Sequence, residues 1–294
     1  MTAFRCGYVA LLGRPNVGKS TLINRLIDAP LSIVTAKPQT TRQRIVGCLQ
    51  RPNAQLIVVD TPGFHASTKL LNRSMLTEIR QAVSDADVAC LLIEARGPVT
   101  DIDRQLWTEI QGRPHRLLVA NKMDLLPPDR IRASQRKWRE AFGAEPILLS
   151  AMHGTGVGEF VEVCLPHIPE GEPLYPQDEY TEHSVRFLAA EAIREQAIVA
   201  LSEELPYAIA VEIVEFKERP DLARITANLV VEKASQKGIV IGQGGRMIKR
   251  IGQRAREKIE ALVGTQVYLE LRVRVEEGWT KDPAALRRLG YKSP

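Results

Sequence analysis

Apolar and polar positions follow two rhythms along this chain. Through the first half, short unbroken apolar runs recur: Tyr8-Val9-Ala10-Leu11-Leu12, Leu56-Ile57-Val58-Val59, Leu117-Leu118-Val119-Ala120 and Ile147-Leu148-Leu149. A strand covered by helices on both faces reads this way, because neither side can be polar. Between the runs lie segments with apolar pairs at helical spacing, as in Thr21-Leu22-Ile23-Asn24-Arg25-Leu26-Ile27. Strand alternating with helix to about residue 165 predicts an α/β fold with a mostly parallel, doubly wound sheet.

The second rhythm begins after a stretch rich in Pro, which opposes both helix and central strand. Phe187, Ile193, Ala197 and Leu201 predict an amphipathic helix from Val185 to Leu201. Ile209 to Ile213 reads as a strand, and another is expected within Ala223 to Val231. Ile248, Ile251, Ala255, Ile259 and Leu262 mark one face of a further helix. Val267 to Val275 then alternates apolar and polar, as a half-buried strand does. The expected division is 1–168, a linker at 169–180 that is semi-rigid because of its prolines, and a smaller α+β domain at 181–294.

Glycine and charge at the ends of the apolar runs give the first half its chemistry. Gly13-Arg14-Pro15-Asn16-Val17-Gly18-Lys19-Ser20 follows a strand and opens into a helix, the context a phosphate-binding loop needs. Its backbone N–H groups, extended by Thr21, can face phosphate oxygens at a helix N-terminus. Lys19 can reach the β- and γ-phosphates, and the Ser20 hydroxyl can ligate Mg²⁺. Asn121-Lys122-Met123-Asp124 follows another strand and selects the base. The Asp124 carboxylate can accept from guanine N1–H and N2–H₂, a pattern adenine lacks, while the Lys122 stem lies along the ring. In Ser150-Ala151-Met152 a backbone N–H can meet guanine O6.

Asp60-Thr61-Pro62-Gly63 ends a strand, which suits Asp60 to the Mg²⁺ shell and the Gly63 N–H to sensing the γ-phosphate. In the loop Lys37-Pro38-Gln39-Thr40-Thr41-Arg42-Gln43-Arg44 a threonine can close on Mg²⁺, and Thr41 is favoured over Thr40. Lys19, Thr41 and Gly63 are the expected catalytic residues, with Ser20, Thr41 and Asp60 as the metal set. Phe64 follows Gly63 where a Ras-like protein carries a water-orienting Gln, so slow intrinsic hydrolysis is expected. His65 is read as a solvent-exposed loop residue rather than a base.

The second half carries Gly242-Gln243-Gly244-Gly245, flanked by Ile241, Arg246, Lys249 and Arg250. A Gly-x-x-Gly loop between two helices can clamp a sugar–phosphate backbone. From Lys233 onward fourteen Lys and Arg face six Asp and Glu, an excess of +8 against +5 for the whole chain. Positive charge is thus concentrated on this module, the footprint of phosphate-backbone binding. Ile239, Val240 and Ile241 read equally as a base-binding groove or as core. Trp279 and Tyr291 pack on the domain or stack on a base, near a short helix capped by Thr280 or Asp282 with Pro283 in its first turn.

The remaining features mostly exclude. The length of 294 residues fits two domains. No apolar run reaches a membrane span, and no signal peptide precedes the first strand. Cys6, Cys48, Cys90 and Cys164 are widely spaced, as expected of reduced, mostly buried cytoplasmic thiols rather than zinc ligands.

These motifs in this order resemble the translation-factor-related GTPases. The run Gln39-Thr40-Thr41-Arg42-Gln43-Arg44 and the tail Gly278 to Tyr291 narrow the resemblance to the Era family of GTPases, with a C-terminal type II KH domain. The resemblance covers nearly the whole chain. It implies GTP hydrolysis to GDP, binding of single-stranded RNA in the 3′ region of small-subunit ribosomal RNA, and a role in assembling that subunit. It also implies a K⁺ site near Asn16, where the alternative is a plain turn residue, and peripheral association with the cell membrane. A monomer is expected. The competing readings are an RNA-binding scaffold with negligible turnover and a GTPase working at the membrane surface.

Overall fold

In the computed structural model, residues 3–35, 37, 40–64, 70–202 and 205–291 are described. Gln39, Pro38 and His65 lie outside them. The chain divides into two compact units. One comprises residues 1–32, 41–67 and 75–182; the other comprises 33–40, 68–74 and 183–294.

The first unit is built on a six-stranded sheet. In chain order its elements are β1 (Arg5–Leu12), α1 (Lys19–Ile27), β2 (Ile45–Arg51), β3 (Ala54–Asp60), α2 (Leu70–Asp85, from Met75 on), β4 (Val88–Glu94), α3 (Asp101–Glu109), β5 (His115–Asn121), α4 (Ile131–Phe142), β6 (Pro146–Leu148) and α5 (Val157–Cys164). The sheet order is β2-β3-β1-β4-β5-β6, with β2 antiparallel to β3 and the other pairs parallel. The mostly parallel α/β sheet expected from the apolar runs is therefore observed. β4 shows why those runs do not alternate: Val88 to Ile93 are all 0% exposed. β1 and β3 end side by side at Leu11 and Asp60, which brings the phosphate-loop candidate and the acidic strand end together. Trp138 on α4 is wholly buried in the same core, where truncation to Ala costs about 3–5 kcal/mol.

The Pro-rich stretch lies along the first unit instead of standing off it. Gln55 of β3, itself fully buried, accepts from the Leu174 and Tyr175 N–H groups and donates to the Tyr175 carbonyl. The Tyr180 carbonyl accepts from the Cys48 N–H of edge strand β2, and the Thr181 hydroxyl donates to the Val46 carbonyl. The four cysteines are free and buried, and burial pushes the Cys48 thiol up to about 12.

The second unit contains α6 (Val185–Ala200), β7 (Ala210–Glu218), β8 (Leu222–Val231), α7 (Ala234–Ile241), α8 (Arg246–Val263), β9 (Gln266–Val275) and α9 (Pro283–Arg288). β8 is central, antiparallel to β7 and parallel to β9. Helix, two strands, two helices and a strand is the type II KH order expected from the sequence. Ile193, Ala197, Ile251, Ala255 and Ile259 close over the sheet as one core. Asp282 caps α9 through the Ala284 N–H, with Pro283 in the first turn. Trp279 is 0% exposed and stacks on Tyr291 at 5.9 Å, so both are packing residues and neither offers a face to a base. Among the described residues no helix is long and apolar enough to cross a membrane.

Candidate nucleotide site and basic glycine loop

α1 starts at Lys19 because Gly18 takes a left-handed conformation (φ +101°) that a side chain rarely adopts. A Cβ there would stand 2.1 Å from Asn121 Nδ2. The loop ahead of it is closed by Lys19, whose Nζ donates to the Gly13 carbonyl at 2.9 Å and the Arg14 carbonyl at 3.1 Å. Burial lowers the Lys19 pKa to about 8, and the Asp60 charge opposes that shift. Arg14 is tied outward: its Nε donates at 2.8 Å to Asp103, a fully buried carboxylate that also forms the capping box of α3 with Thr100.

Asp60 is the electrostatic centre of the site. It is 0% exposed, and burial raises its pKa against the pull of Lys19 and three hydroxyls. Its Oδ2 accepts from Ser20 at 2.7 Å, Ser32 at 2.7 Å and Thr41 at 3.3 Å. Ser20 and Thr41 hydroxyls stand 3.0 Å apart. Thr41 rather than Thr40 therefore meets the carboxylate. Oδ1 is buried and finds no hydrogen-bond partner. An orphaned carboxylate oxygen beside two converging hydroxyls is the hard-oxygen donor set a divalent cation such as Mg²⁺ takes, so the residues fit that ion.

The neighbouring positions are divided between support and access. The Thr61 hydroxyl is buried and donates to the Leu11 carbonyl at 2.7 Å, so that side chain ties β3 to β1 and does not face a ligand. Phe64 lies in the core at 5% exposure. Pro62 and Gly63 are buried beside it, while Pro15 is half-buried and Asn16 is exposed in a left-handed conformation (φ +63°).

The base-reading loops are joined by Asn121. Its Nδ2 donates to the Val17 carbonyl at 2.8 Å, and its Oδ1 accepts the Ala151 N–H at 2.9 Å. Within Ser150-Ala151-Met152, where the sequence expects a backbone N–H for guanine O6, the Ala151 N–H is thus engaged by Asn121. Lys122 Nζ pairs with Glu94 at 3.0 Å. Arg25 of α1 donates to the Ala151 and Met152 carbonyls. Asp124 sits in a short turn after β5, 3.8 Å from His153 Nε2. Met152 is exposed and Ser150 buried. Ser32, Glu94, Arg25 and Asp103 all support the site yet stand outside every consensus motif, so no sequence signal marks them.

In the second unit the Gly242–Gly245 loop joins α7 to α8, as expected. Gly244 is left-handed (φ +59°), and a Cβ there would meet nothing within 4 Å. The position faces open space, so its own fold does not exclude a side chain, whereas an approaching ligand backbone would. Arg246, Lys249 and Arg250 are exposed. Of the three residues that read equally as groove or core, Val240 is core at 0% exposure, Ile239 is exposed and Ile241 half-buried. A groove of about 430 Å³ lies between α8 and β9, lined by Ile248, Gly252, Leu269 and Leu271 together with Lys249 and Arg256.

With this geometry in place, comparison with known proteins defines first the class. Residues 8–122 match the family model of the 50S ribosome-binding GTPases, and residues 204–280 match the KH domain. Full-length relatives narrow it. The chain is 42% identical to GTPase Era of Syntrophus aciditrophicus, covering 98% of this chain and 95% of the relative. It is 39% identical to GTPase Era of Halothermothrix orenii, covering 99% of each. Among solved structures, an Aquifex aeolicus Era variant bound to GDP·AlF4⁻ superposes with a TM-score of 0.95 at 36% identity, over 98% of this chain and 100% of that one. Era in complex with MgGDPNP and nucleotides 1506–1542 of 16S ribosomal RNA also gives 0.95 at 36% identity, covering 98% and 99%. The chain belongs to the Era GTPase family.

Proposed function

We propose that this GTPase is a GTP-hydrolysing switch that binds single-stranded RNA in the 3′ region of small-subunit ribosomal RNA and acts in assembly of the small subunit. The observation that carries the reading is the presence on one chain of the Asp60 hydroxyl cluster and an exposed Gly-x-x-Gly loop edged by Lys249 and Arg250. The relative solved with MgGDPNP and a 16S ribosomal RNA fragment supports both halves.

In this reading residues 1–168 form the GTPase part, 169–180 the linker and 181–294 the RNA-binding part. Lys19 exchanges the loop carbonyls for β- and γ-phosphate oxygens, and the Gly13–Thr21 backbone cradles the phosphates. Ser20, Thr41 and Asp60 hold Mg²⁺, which when bound neutralises developing phosphate charge. Asp124 reads guanine N1–H and N2–H₂. Gly63 senses the γ-phosphate. Phe64 faces the core and cannot orient a water, so turnover without an added factor is slow. Asn16 would hold a K⁺ near the phosphates, which would supply the charge stabilisation that an arginine finger otherwise gives. The protein works in the cytoplasm as a monomer, and its basic module is also what would contact an anionic membrane surface.

The deciding experiment measures GTP turnover in K⁺ and in Na⁺, with and without an RNA carrying the 3′ end of small-subunit ribosomal RNA, together with binding of that RNA and of anionic phospholipid vesicles. RNA bound with turnover in K⁺ supports the switch. RNA bound with no turnover in either salt replaces it with the scaffold reading. Vesicle binding without RNA binding replaces it with the membrane reading.

A further inference from the structure

Ser32 belongs to none of the motifs that define a GTPase site, yet its hydroxyl stands 2.7 Å from Asp60 Oδ2, as close as that of Ser20. It is 5% exposed, so this bond is not exchanged with solvent. What holds it there is Asn24. The Asn24 Nδ2 donates to the Ser32 carbonyl at 2.8 Å, and its Oδ1 accepts the Ser32 N–H at 2.8 Å. Both peptide groups of Ser32 are thereby fixed to α1, the helix that begins with Lys19 and Ser20. The result is a closed circuit: α1 grips Asp60 directly through Ser20 and again through Asn24 and Ser32.

The three hydroxyls on Oδ2 differ in kind. Ser20 and Thr41 are the pair suited to ligate a divalent cation, and Thr41 sits on a loop of the type that order–disorder switching releases when a γ-phosphate is lost. Ser32 is bound to a helix and has no such freedom. All three bonds converge on Oδ2, leaving Oδ1 buried without a hydrogen-bond partner.

We infer that Ser32, held by Asn24, is a positioning residue that keeps the Asp60 carboxylate oriented toward Mg²⁺ when Thr41 is withdrawn. It therefore matters most in the GDP-bound state. With GTP, Thr41 supplies a second anchor. With GDP, Ser32 remains as an anchor that neither depends on the loop nor, like Ser20, is needed as a ligand of the cation. The inference rests on the magnesium–nucleotide reading of the site given above. Partners that orient metal ligands typically change metal affinity by about 10–100-fold when removed.

The test uses the full chain loaded with a fluorescent GDP or a non-hydrolysable fluorescent GTP analogue. Nucleotide release is followed across a Mg²⁺ titration for the parent, Ser32→Ala and Asn24→Ala, with thermal melting of each. For Ser32→Ala the Mg²⁺ concentration that half-protects GDP should rise about tenfold, and that for the GTP analogue no more than about threefold. Asn24→Ala, which keeps the hydroxyl but frees it, should shift GDP protection in the same direction by less. A folded Ser32→Ala that titrates like the parent overturns the inference, as does an equal shift in both nucleotide states, which marks a merely structural role. If Ser32→Ala does not fold, Asn24→Ala decides: unchanged GDP protection overturns the inference. A parent whose nucleotide release ignores Mg²⁺ overturns the magnesium reading itself, and this inference falls with it.

Discussion

The nucleotide site and the basic glycine loop are built on opposite physical plans. Around Asp60 nearly every functional side chain is buried and already bonded to another: Asp60 is 0% exposed, Asn121 2% and Lys19 5%. Their hydrogen bonds run across α1, β3, β5 and the loops between them. The Gly-x-x-Gly loop has glycine backbone in open space and exposed cations at its edge. The first plan obtains selectivity from buried polar groups that suffer when left unpaired. The second obtains affinity from charge and close approach, which tolerate variation in sequence but not in salt. A chain that must distinguish guanine from adenine and also grip an RNA backbone needs both.

The comparison is broken most severely at the base. Asp124→Asn replaces a double acceptor by a group that donates where guanine N2–H₂ also donates. Preference should move from guanosine toward xanthosine nucleotides by about 10⁴-fold. Competition binding of the two triphosphates measures it, and a variant that keeps the parent's GTP affinity removes Asp124 from the base.

At the other site, Gly244→Asp should lower RNA affinity by about 100-fold while leaving basal GTP hydrolysis intact, because the new carboxylate repels phosphate and blocks backbone approach. Circular dichroism with RNA titration checks it. The space around Gly244 means the fold itself accommodates the side chain, apart from the strain of a left-handed residue. A folded variant that binds RNA like the parent would end the KH reading of this loop.

Lys249→Ala sharpens the contrast more gently. It should cost RNA affinity a few-fold and reduce the slope of log affinity against log salt by about 0.7, the value for one single-strand phosphate. Nucleotide affinity in the same salt series should stay nearly flat.

The smallest effect is one of pH, and its sign follows from Lys19. Burial sets its pKa at about 8, below the ordinary lysine value of 10.5. Above pH about 8 the free protein loses the ammonium that meets the phosphates, so GTP association should weaken a few-fold between pH 7 and 9. Stability of the nucleotide-free chain moves the other way. Between about 8 and 10.5 the unfolded chain binds the proton that the folded chain has released, so this group makes folding more favourable as pH rises. Association rates and melting across pH 7–9 read the two trends separately. Equal pH dependence in Lys19→Met would assign them to another group.

Much of the fold was legible because its signals are local. Unbroken apolar runs such as Leu117 to Ala120 reflect burial on both faces, and the alternation in Val267 to Val275 reflects burial on one. In the second unit periodicity marked α6, β7, α8 and β9, while α7 was expected only because a KH-type Gly-x-x-Gly loop joins two helices. The groove was not legible. Ile239, Val240 and Ile241 are equally apolar in sequence, but only their rotation about α7 makes Val240 core and Ile239 exposed. Val240 therefore packs inward, and an apolar groove lies instead between α8 and β9.

By itself, the sequence determined the elements, their class and the groups able to do chemistry, because strand, helix and loop identities depend on spacing along the chain. It could not determine which hydroxyls share Asp60, that Asn121 takes the Ala151 N–H, or that Gln55 binds the segment after α5. Those pairings join residues 19 to 120 positions apart. Only the parallel sheet, by setting β1 beside β3 and β5 beside β6, brings such distant residues within hydrogen-bond reach.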